Sequence, residues 1–360
     1  MNIMLFSRIL AKTGVGNYVK SLSEELVVQG HNVTVVSSTQ EIALDPRVDF
    51  IRLPAASNNP LQILKVVKAL NEIIKSKQIQ IVHCHHRKAA LIMAIYNVFY
   101  TIPYVYTLHL ANIPSDFLHR KMTFTGNRAI AISKEVRESL INELGVPSEE
   151  ITDIPNGVKI ISGLTPEEAK EQKSYWNIPE DKYVLTLHSR IDPVKNHMLM
   201  VDAIGKLSQK AKESIVVVCS GETTGEYYEQ VAAKVSQLGL RDQFRFVGWC
   251  DTAKVLGISD FLFLPSIQEG FGLTVAEAFL LKIPVARTKA AGFEEQKYCL
   301  PLDMYDPQPI VDIIEDLVEN GKDQYSERIE AAYELAMKEF TIEVMTKRNV
   351  RVYEEVCKNA

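Results

Sequence analysis

The 360-residue chain predicts an α/β protein made of two doubly wound domains, each a parallel sheet covered by helices on both faces. Three observations predict it. Short apolar runs alternate with amphipathic helical stretches, the pattern of parallel strands joined by helical crossovers. The alternation restarts after the proline–glycine loop Ile154-Pro-Asn-Gly-Val158, a composition that marks a boundary. The length suits two domains of ordinary size.

The first half reads in order. Asn2 to Phe6 is an apolar strand, followed by the loop Ala11-Lys12-Thr13-Gly14-Val15-Gly16. A helix runs from about 17 to 29 with Val19, Leu22 and Leu26 on one stripe, and Gly30 ends it as a C′ glycine. Val33 to Val36 and Phe50 to Leu53 are strands, and Leu61 to Lys77 is a helix with Leu61, Leu64, Leu70 and Ile74 spaced for one face. Ile79 to His83, Tyr104 to Leu108 and Ala129 to Ile132 are strands, and Ser133 is the natural N-cap of a following helix.

The second half repeats the theme. Tyr183 to His188, Ser214 to Cys219, Gln243 to Val247 and Phe261 to Leu264 read as strands, with Pro284 to Ala286 and Cys299 to Leu302 as short edge strands. Helices are expected at about 196–210, 226–238, 252–258 and 273–281, and a last one from about 342 to 357.

Composition excludes several classes. A 46% hydrophobic fraction with 24% charged residues describes an ordered globular chain. The five cysteines are scattered, without a Cys-x-x-Cys pair, so neither a zinc site nor a disulfide framework is indicated and a reducing, cytoplasmic compartment is expected. No apolar run is long enough to span a bilayer; the stretch from Ala89 to Tyr106 is interrupted by Tyr, Asn, Thr and Pro. Residues 1–160 carry 17 Lys/Arg against 13 Asp/Glu and the remainder 23 against 32. The mildly basic first half permits peripheral contact with an anionic membrane face or binding of a phosphorylated substrate. No Lys/Arg stripe with interleaved aromatics exists, so nucleic acid is not an expected partner.

The most informative segment is Pro265-Ser-Ile-Gln-Glu-Gly-Phe-Gly-Leu-Thr-Val-Ala-Glu-Ala-Phe279. A buried strand gives way to a turn holding Gly270 and Gly272, and a helix begins at Leu273. Such a turn exposes backbone N–H groups at the positive end of the helix dipole, a ready site for a diphosphate. Glu269 and Glu277 bracket it. Carboxylates repel phosphate but accept hydrogen bonds from sugar hydroxyls, so the combination points to a sugar nucleotide.

With its Pro-Ser lead, Gly-Phe-Gly turn and Glu-Ala step, this segment resembles the Glu-x7-Glu signature of the retaining GT-B glycosyltransferases. Across nearly its whole length the chain is similar to the family 4-like, or group 1, members. The resemblance implies the GT-B fold, two Rossmann-like doubly wound domains facing across a cleft. Residues 1–157 would form the acceptor-binding domain and 158–341 the nucleotide-sugar-binding domain, with a helix over 342–360 packing back on the first. It implies a hexosyl- or N-acetylhexosaminyltransferase whose donor is a nucleoside-diphosphate sugar, UDP favoured. The acceptor would be a glycan or lipid-linked saccharide in bacterial surface polysaccharide synthesis, O-antigen, capsule or exopolysaccharide, at the cytoplasmic membrane face.

Residue by residue, the resemblance assigns Glu269 and His109 to the donor sugar, and Arg190 and Lys195 to the diphosphate, where fixed cations stabilise the charge that grows on the leaving group. Glu277 would hold the ribose, and Gly270, Phe271, Gly272, Leu273 and Thr274 the phosphates. Gly14 and Gly16 form the first glycine turn, Gly221 lies in the loop under the nucleotide, and Trp249 and Cys250 belong to the stretch beside the base. No Asp-x-Asp exists, so no metal and no other cofactor is expected. Asn196 stands where relatives have Gly after the Lys, and is expected to cap the following helix. Ala290-Ala291-Gly292 replaces a Gly-Gly step. His83 and His85 share a face, but no third ligand has metal-site spacing; His85 and Arg87 are read as lining the acceptor side. Two rival readings are a GT-B sugar-nucleotide 2-epimerase and a non-catalytic nucleotide-sugar scaffold. The Rossmann oxidoreductase reading is disfavoured because Val19 replaces the third glycine of that fingerprint.

Overall fold

The computed structural model describes residues 1–111, 113 and 120–359. The chain divides into two compact units, Met1–Lys159 with Glu339–Ala360, and Ile160–Lys338.

In the first unit β1 (Asn2–Phe6), β2 (Asn32–Ser37), β3 (Asp49–Arg52), β4 (Ile81–Cys84), β5 (Tyr104–Leu108), β6 (Arg128–Ala131) and β7 (Ile151–Asp153) form one parallel sheet in the order β3-β2-β1-β4-β5-β6-β7. Its helices are α1 (Gly14–Val28), α2 (Pro60–Ser76), α3 (Arg87–Phe99) and α4 (Lys134–Glu138). Ser133 caps α4, accepting from Val136 N–H at 3.3 Å. The order reverses between β1 and β4, and such switch points are where open α/β sheets bind ligands, at the carboxyl ends of the strands.

The second unit holds β8 (Tyr183–His188), β9 (Ile215–Ser220), β10 (Phe244–Phe246), β11 (Phe261–Leu264), β12 (Val285–Thr288) and β13 (Leu300–Leu302), all parallel in the order β10-β9-β8-β11-β12-β13. Its helices are α5 (Pro166–Tyr175), α6 (His197–Lys206), α7 (Gln209–Ser214), α8 (Glu226–Gln237), α9 (Thr252–Leu256), α10 (Leu273–Leu280), α11 (Gln308–Asn320) and α12 (Ser326–Glu339). The switch point lies between β8 and β11. The last helix, α13 (Ile342–Asn359), packs Met345, Val352, Tyr353 and Val356 into the core of the first unit beside Ile3, Leu5 and Leu22.

Four expectations are corrected. Helix α1 starts at Gly14, three residues early, because Thr13 accepts from Gly16 N–H at 3.3 Å and so caps it. On α2 the buried stripe is Val66, Val67, Leu70 and Ile74, while Leu61 and Leu64 are exposed. The helix expected over 196–210 breaks at Leu207-Ser208, where Ser208 caps α7. Strand β12 is interior rather than an edge, paired with β11 and β13. Among the elements the pattern did not assign, α5 has no buried residue and stands on its ends: Thr165 and Glu168 form a reciprocal capping box.

Candidate functional site

In the second unit the candidate residues gather at the carboxyl ends of β8, β9, β10 and β11. Ser189-Arg190 follows β8, Ser220-Gly221 closes β9, Val247 to Cys250 follows β10 and Glu269 to Thr274 follows β11. Three of these loops are tied by the backbone. Ser189 N–H donates to Ser220 O at 3.0 Å, Gly221 N–H donates to Gly248 O at 3.1 Å, and Ser220 Oγ donates to the same carbonyl at 3.0 Å. Cys250 Sγ is held on Val247 O, and the Trp249 side chain is 60% exposed.

The centre is the turn into α10. Gly272 adopts φ 86° and ψ 71°, a left-handed conformation that L side chains resist, and occupies the N-cap position without a capping side chain. Neither Gly272 N–H nor Leu273 N–H donates to any described residue. The start of α10 therefore presents unspent donors at the positive helix end. Thr274 Oγ1 donates back to His188 O at 3.3 Å, docking the first turn against the end of β8.

Both candidate cations lie between β8 and α6. Lys195 Nζ is ion-paired with Glu269 Oε1, both side chains largely buried at 16% and 9% exposure. Arg190, 59% exposed, pairs with Asp192 at 3.0 Å. Asp192 also accepts from Lys195 N–H at 3.0 Å, closing the short 3-10 turn that aims Lys195. Sequence reading missed Asp192, although Asp-Pro two residues before a Lys is a turn signal.

Asn196 does not cap α6 as expected. It adopts φ 55° and ψ 43°, and its Nδ2 donates to Met304 O at 2.9 Å. Asn is among the few non-glycine residues that take the left-handed region readily, which explains why it can stand where the family resemblance leads one to expect Gly.

Glu277 lies one turn into α10, partly buried, and no described residue donates a hydrogen bond to its carboxylate. Burial, helped by the Asp251 carboxylate, pushes its pKa up to about 7. His188 lies in the same region: its Nε2 is 3.1 Å from Thr252 Oγ1, its Nδ1 is buried without a partner, and burial lowers its pKa to about 4. Glu277 is thus an acceptor-rich group awaiting donors, as a ribose diol would supply.

The first unit holds the remaining candidates. His109 follows β5, and its Nε2 is 3.3 Å from His85 Nδ1. Tyr18 packs edge-on against His109 at 4.8 Å. His83 lies 4.1 Å from His85, with Nδ1 2.6 Å from Tyr353 Oη and Nε2 2.6 Å from Thr107 Oγ1. Both His83 nitrogens are spent on these two hydroxyls. Burial lowers the pKa of His83 to about 3 and holds His85 and His109 well below the ordinary range, leaving neutral imidazoles. Arg87 begins α3, and one guanidinium nitrogen donates to Thr123 Oγ1. Gly14 is exposed in the first turn of α1. Gly16 answers a different demand from ligand approach: a Cβ there would stand 1.9 Å from Ala11 O and 2.8 Å from Ile42 Cδ1.

Residues 12–160 match the description of Glycosyltransferase Family 4, and residues 168–335 that of Glycosyl transferases group 1. The chain belongs to the family 4-like GT-B glycosyltransferases. This glycosyltransferase is 22% identical over 395 residues to a D-inositol 3-phosphate glycosyltransferase of Nocardioides sp., covering 94% of the chain and 84% of that protein. Its fold matches a glycosyltransferase from Rickettsia africae with a TM-score of 0.89 and 23% identity, over 100% of this chain and 99% of the other. Anabaena HepE in complex with UDP matches with a TM-score of 0.82 and 18% identity, over 99% and 100%. No described helix of the glycosyltransferase is long and apolar enough to cross a membrane.

Proposed function

We propose that the enzyme transfers a hexosyl or N-acetylhexosaminyl group from a nucleoside-diphosphate sugar, UDP-linked by preference, to a hydroxyl of a glycan or lipid-linked saccharide, with retention at the anomeric carbon. The carrying observation is the uncapped start of α10, with Lys195 beside it and two carboxylates, Glu269 and Glu277, on the same turn and helix. The UDP in the Anabaena structure supports a uridine donor.

Each group has a defined task on this reading. Glu277 accepts from the ribose hydroxyls. Gly270 to Thr274, Lys195 and Arg190 hold the diphosphate. Glu269 and His109 orient the sugar, and His109, held neutral by burial, serves as a hydrogen-bonding partner rather than a proton donor. Gly221, Trp249 and Cys250 lie under the nucleoside, Gly14 belongs to the first glycine turn, and His85 and Arg87 face the acceptor. As the sugar–phosphate bond breaks, charge accumulates on the diphosphate, and preorganised donors and cations stabilise it more than in the ground state. The departing phosphate oxygen takes the acceptor proton in a front-face attack. Arg190 and Lys195 supply the positive charge, so catalysis needs no metal ion. The setting is assembly of a surface polysaccharide at the cytoplasmic membrane face, with the basic first half favouring contact with anionic lipid.

The test is a thermal-shift screen of UDP, GDP, ADP and their sugar conjugates, with and without EDTA. A uridine-selective, EDTA-insensitive rise in Tm is expected through ligand linkage; no shift with any nucleotide overturns the reading. Donor turnover without added acceptor, giving an epimerised sugar, would favour the epimerase instead.

A further inference from the structure

The largest fully buried side chain of the second unit is a charged one, Arg287. It sits on β12, one strand away from the switch point. A lone guanidinium in such a place is costly unless every N–H is satisfied. Here the partners are carbonyls of two turns. One terminal nitrogen donates to Phe271 O at 3.0 Å and to Gln296 Oε1, and the other donates to Ala290 O at 3.1 Å and Ala291 O at 2.8 Å. Gln296, equally buried, donates through Nε2 to Gly272 O at 3.1 Å.

The consequence lies on the opposite face of the turn. In a trans peptide the carbonyl and the following N–H point in opposite directions. Drawing Phe271 O inward sends Gly272 N–H outward, and drawing Gly272 O inward sends Leu273 N–H outward. Neither of these N–H groups donates to a described residue. The planar five-donor fork of Arg suits the task, because one rigid group fixes several carbonyls at once.

We propose that Arg287, acting with Gln296, is a positioning residue for the donor diphosphate: from the buried side it orients the backbone N–H groups of Gly272 and Leu273 toward the phosphates. The inference rests on the nucleotide-sugar reading above. It also assigns a purpose to the Ala290-Ala291-Gly292 departure, whose first two carbonyls serve as the second anchor of the guanidinium.

The experiment compares a nucleoside with its diphosphate. Binding of UDP and of uridine, and in parallel GDP with guanosine and ADP with adenosine, is measured by titration calorimetry on the full chain, alongside Tm. Arg287→Met and Gln296→Leu are tested together, so that a poorly folding Arg287 variant leaves the second to decide. The nucleoside reports the ribose and base contacts; only the diphosphate reports the turn. Diphosphate affinity is expected to fall roughly tenfold or more in Arg287→Met and a few-fold in Gln296→Leu, about the loss of one or two misaimed charge-assisted hydrogen bonds, with nucleoside affinity unchanged. A purely structural role lowers Tm and leaves the diphosphate-to-nucleoside ratio of the wild type intact, and that result in a folded variant overturns the proposal. Wild-type protein that binds no diphosphate would instead refute the nucleotide-sugar reading on which it stands.

Discussion

Replacing Glu277 with Gln should stabilise the ligand-free protein at alkaline pH while weakening nucleotide binding. The carboxyl is raised from 4.5 to about 7 by burial and then by Asp251. Between those values the folded state holds a proton that the unfolded state has released, so stability falls as pH rises from about 4.5 to about 7 and is flat beyond. A displacement of that size is worth about 3 kcal/mol, and residual solvent contact of this partly exposed side chain reduces it to about 2 kcal/mol. The neutral amide lacks this penalty. For a unit the size of Ile160–Lys338, Glu277→Gln should raise the Tm by about 4–8 °C at pH 8, with the difference fading toward pH 5. The assay is thermal denaturation of both proteins from pH 5 to pH 8.5 without ligand. Nucleotide addition should narrow the gap: wild-type affinity for UDP strengthens as pH rises through 7, and the variant, lacking the charged acceptor, binds about tenfold more weakly. A Tm difference constant across this range, or a variant less stable at pH 8, would refute the account of Glu277 as a carboxylate held without partners.

Substitutions at three further positions test other parts of the molecule. Glu269→Ala should cut turnover by about 100-fold or more without weakening UDP binding, as expected of a group that acts on the sugar; steady-state kinetics near wild type would remove its role. Asn196→Ala should destabilise the second unit by about 1 kcal/mol through its left-handed backbone, and Asn196→Gly should recover that strain, read from paired denaturation curves. Gly16→Ala must push a methyl group toward Ala11 O, which lies 1.9 Å from the ideal Cβ position. It should therefore destabilise the first unit by about 2 kcal/mol or more, and an unchanged unfolding midpoint would show that the loop relaxes freely.

Strand–helix alternation is a local signal, and most strands and the crossover helices with a strong apolar stripe were legible from it. Helix α5 was not, because no face of it is buried and its determinants are the capping residues Thr165 and Glu168. Helix α3 buries Ala89, Ala90, Ile92, Met93 and Tyr96 on one side, but its apolar run is too continuous to show a period. At the site, the Glu269 to Glu277 segment was legible because its turn and helix start are local. The Lys195–Glu269 ion pair was not, since it depends on β8 and β11 being neighbours in the sheet, and strand order is not written in any one segment. Arg287 left a trace, a charge inside an otherwise apolar strand, but its partners come from two separate turns. His188 left none beyond its place at a strand end.

The Lys195–Glu269 pair also bears on how substrate is recognised. In the ligand-free protein each group satisfies the other in a largely buried setting, where an unpaired charge would cost several kcal/mol. On the proposed reading a diphosphate at the start of α10 competes with Glu269 for Lys195. A nucleotide without a sugar would draw the cation away and leave the carboxylate short of donors. A nucleotide sugar brings hydroxyls that replace the lost ammonium hydrogen bonds at the same moment, so the exchange conserves hydrogen bonding only for the complete donor. On that reading the pair couples recognition of the diphosphate to recognition of the sugar through one shared ion pair. It does so with side chains from two neighbouring strand ends, while Arg287 holds the turn that carries Glu269 from beneath.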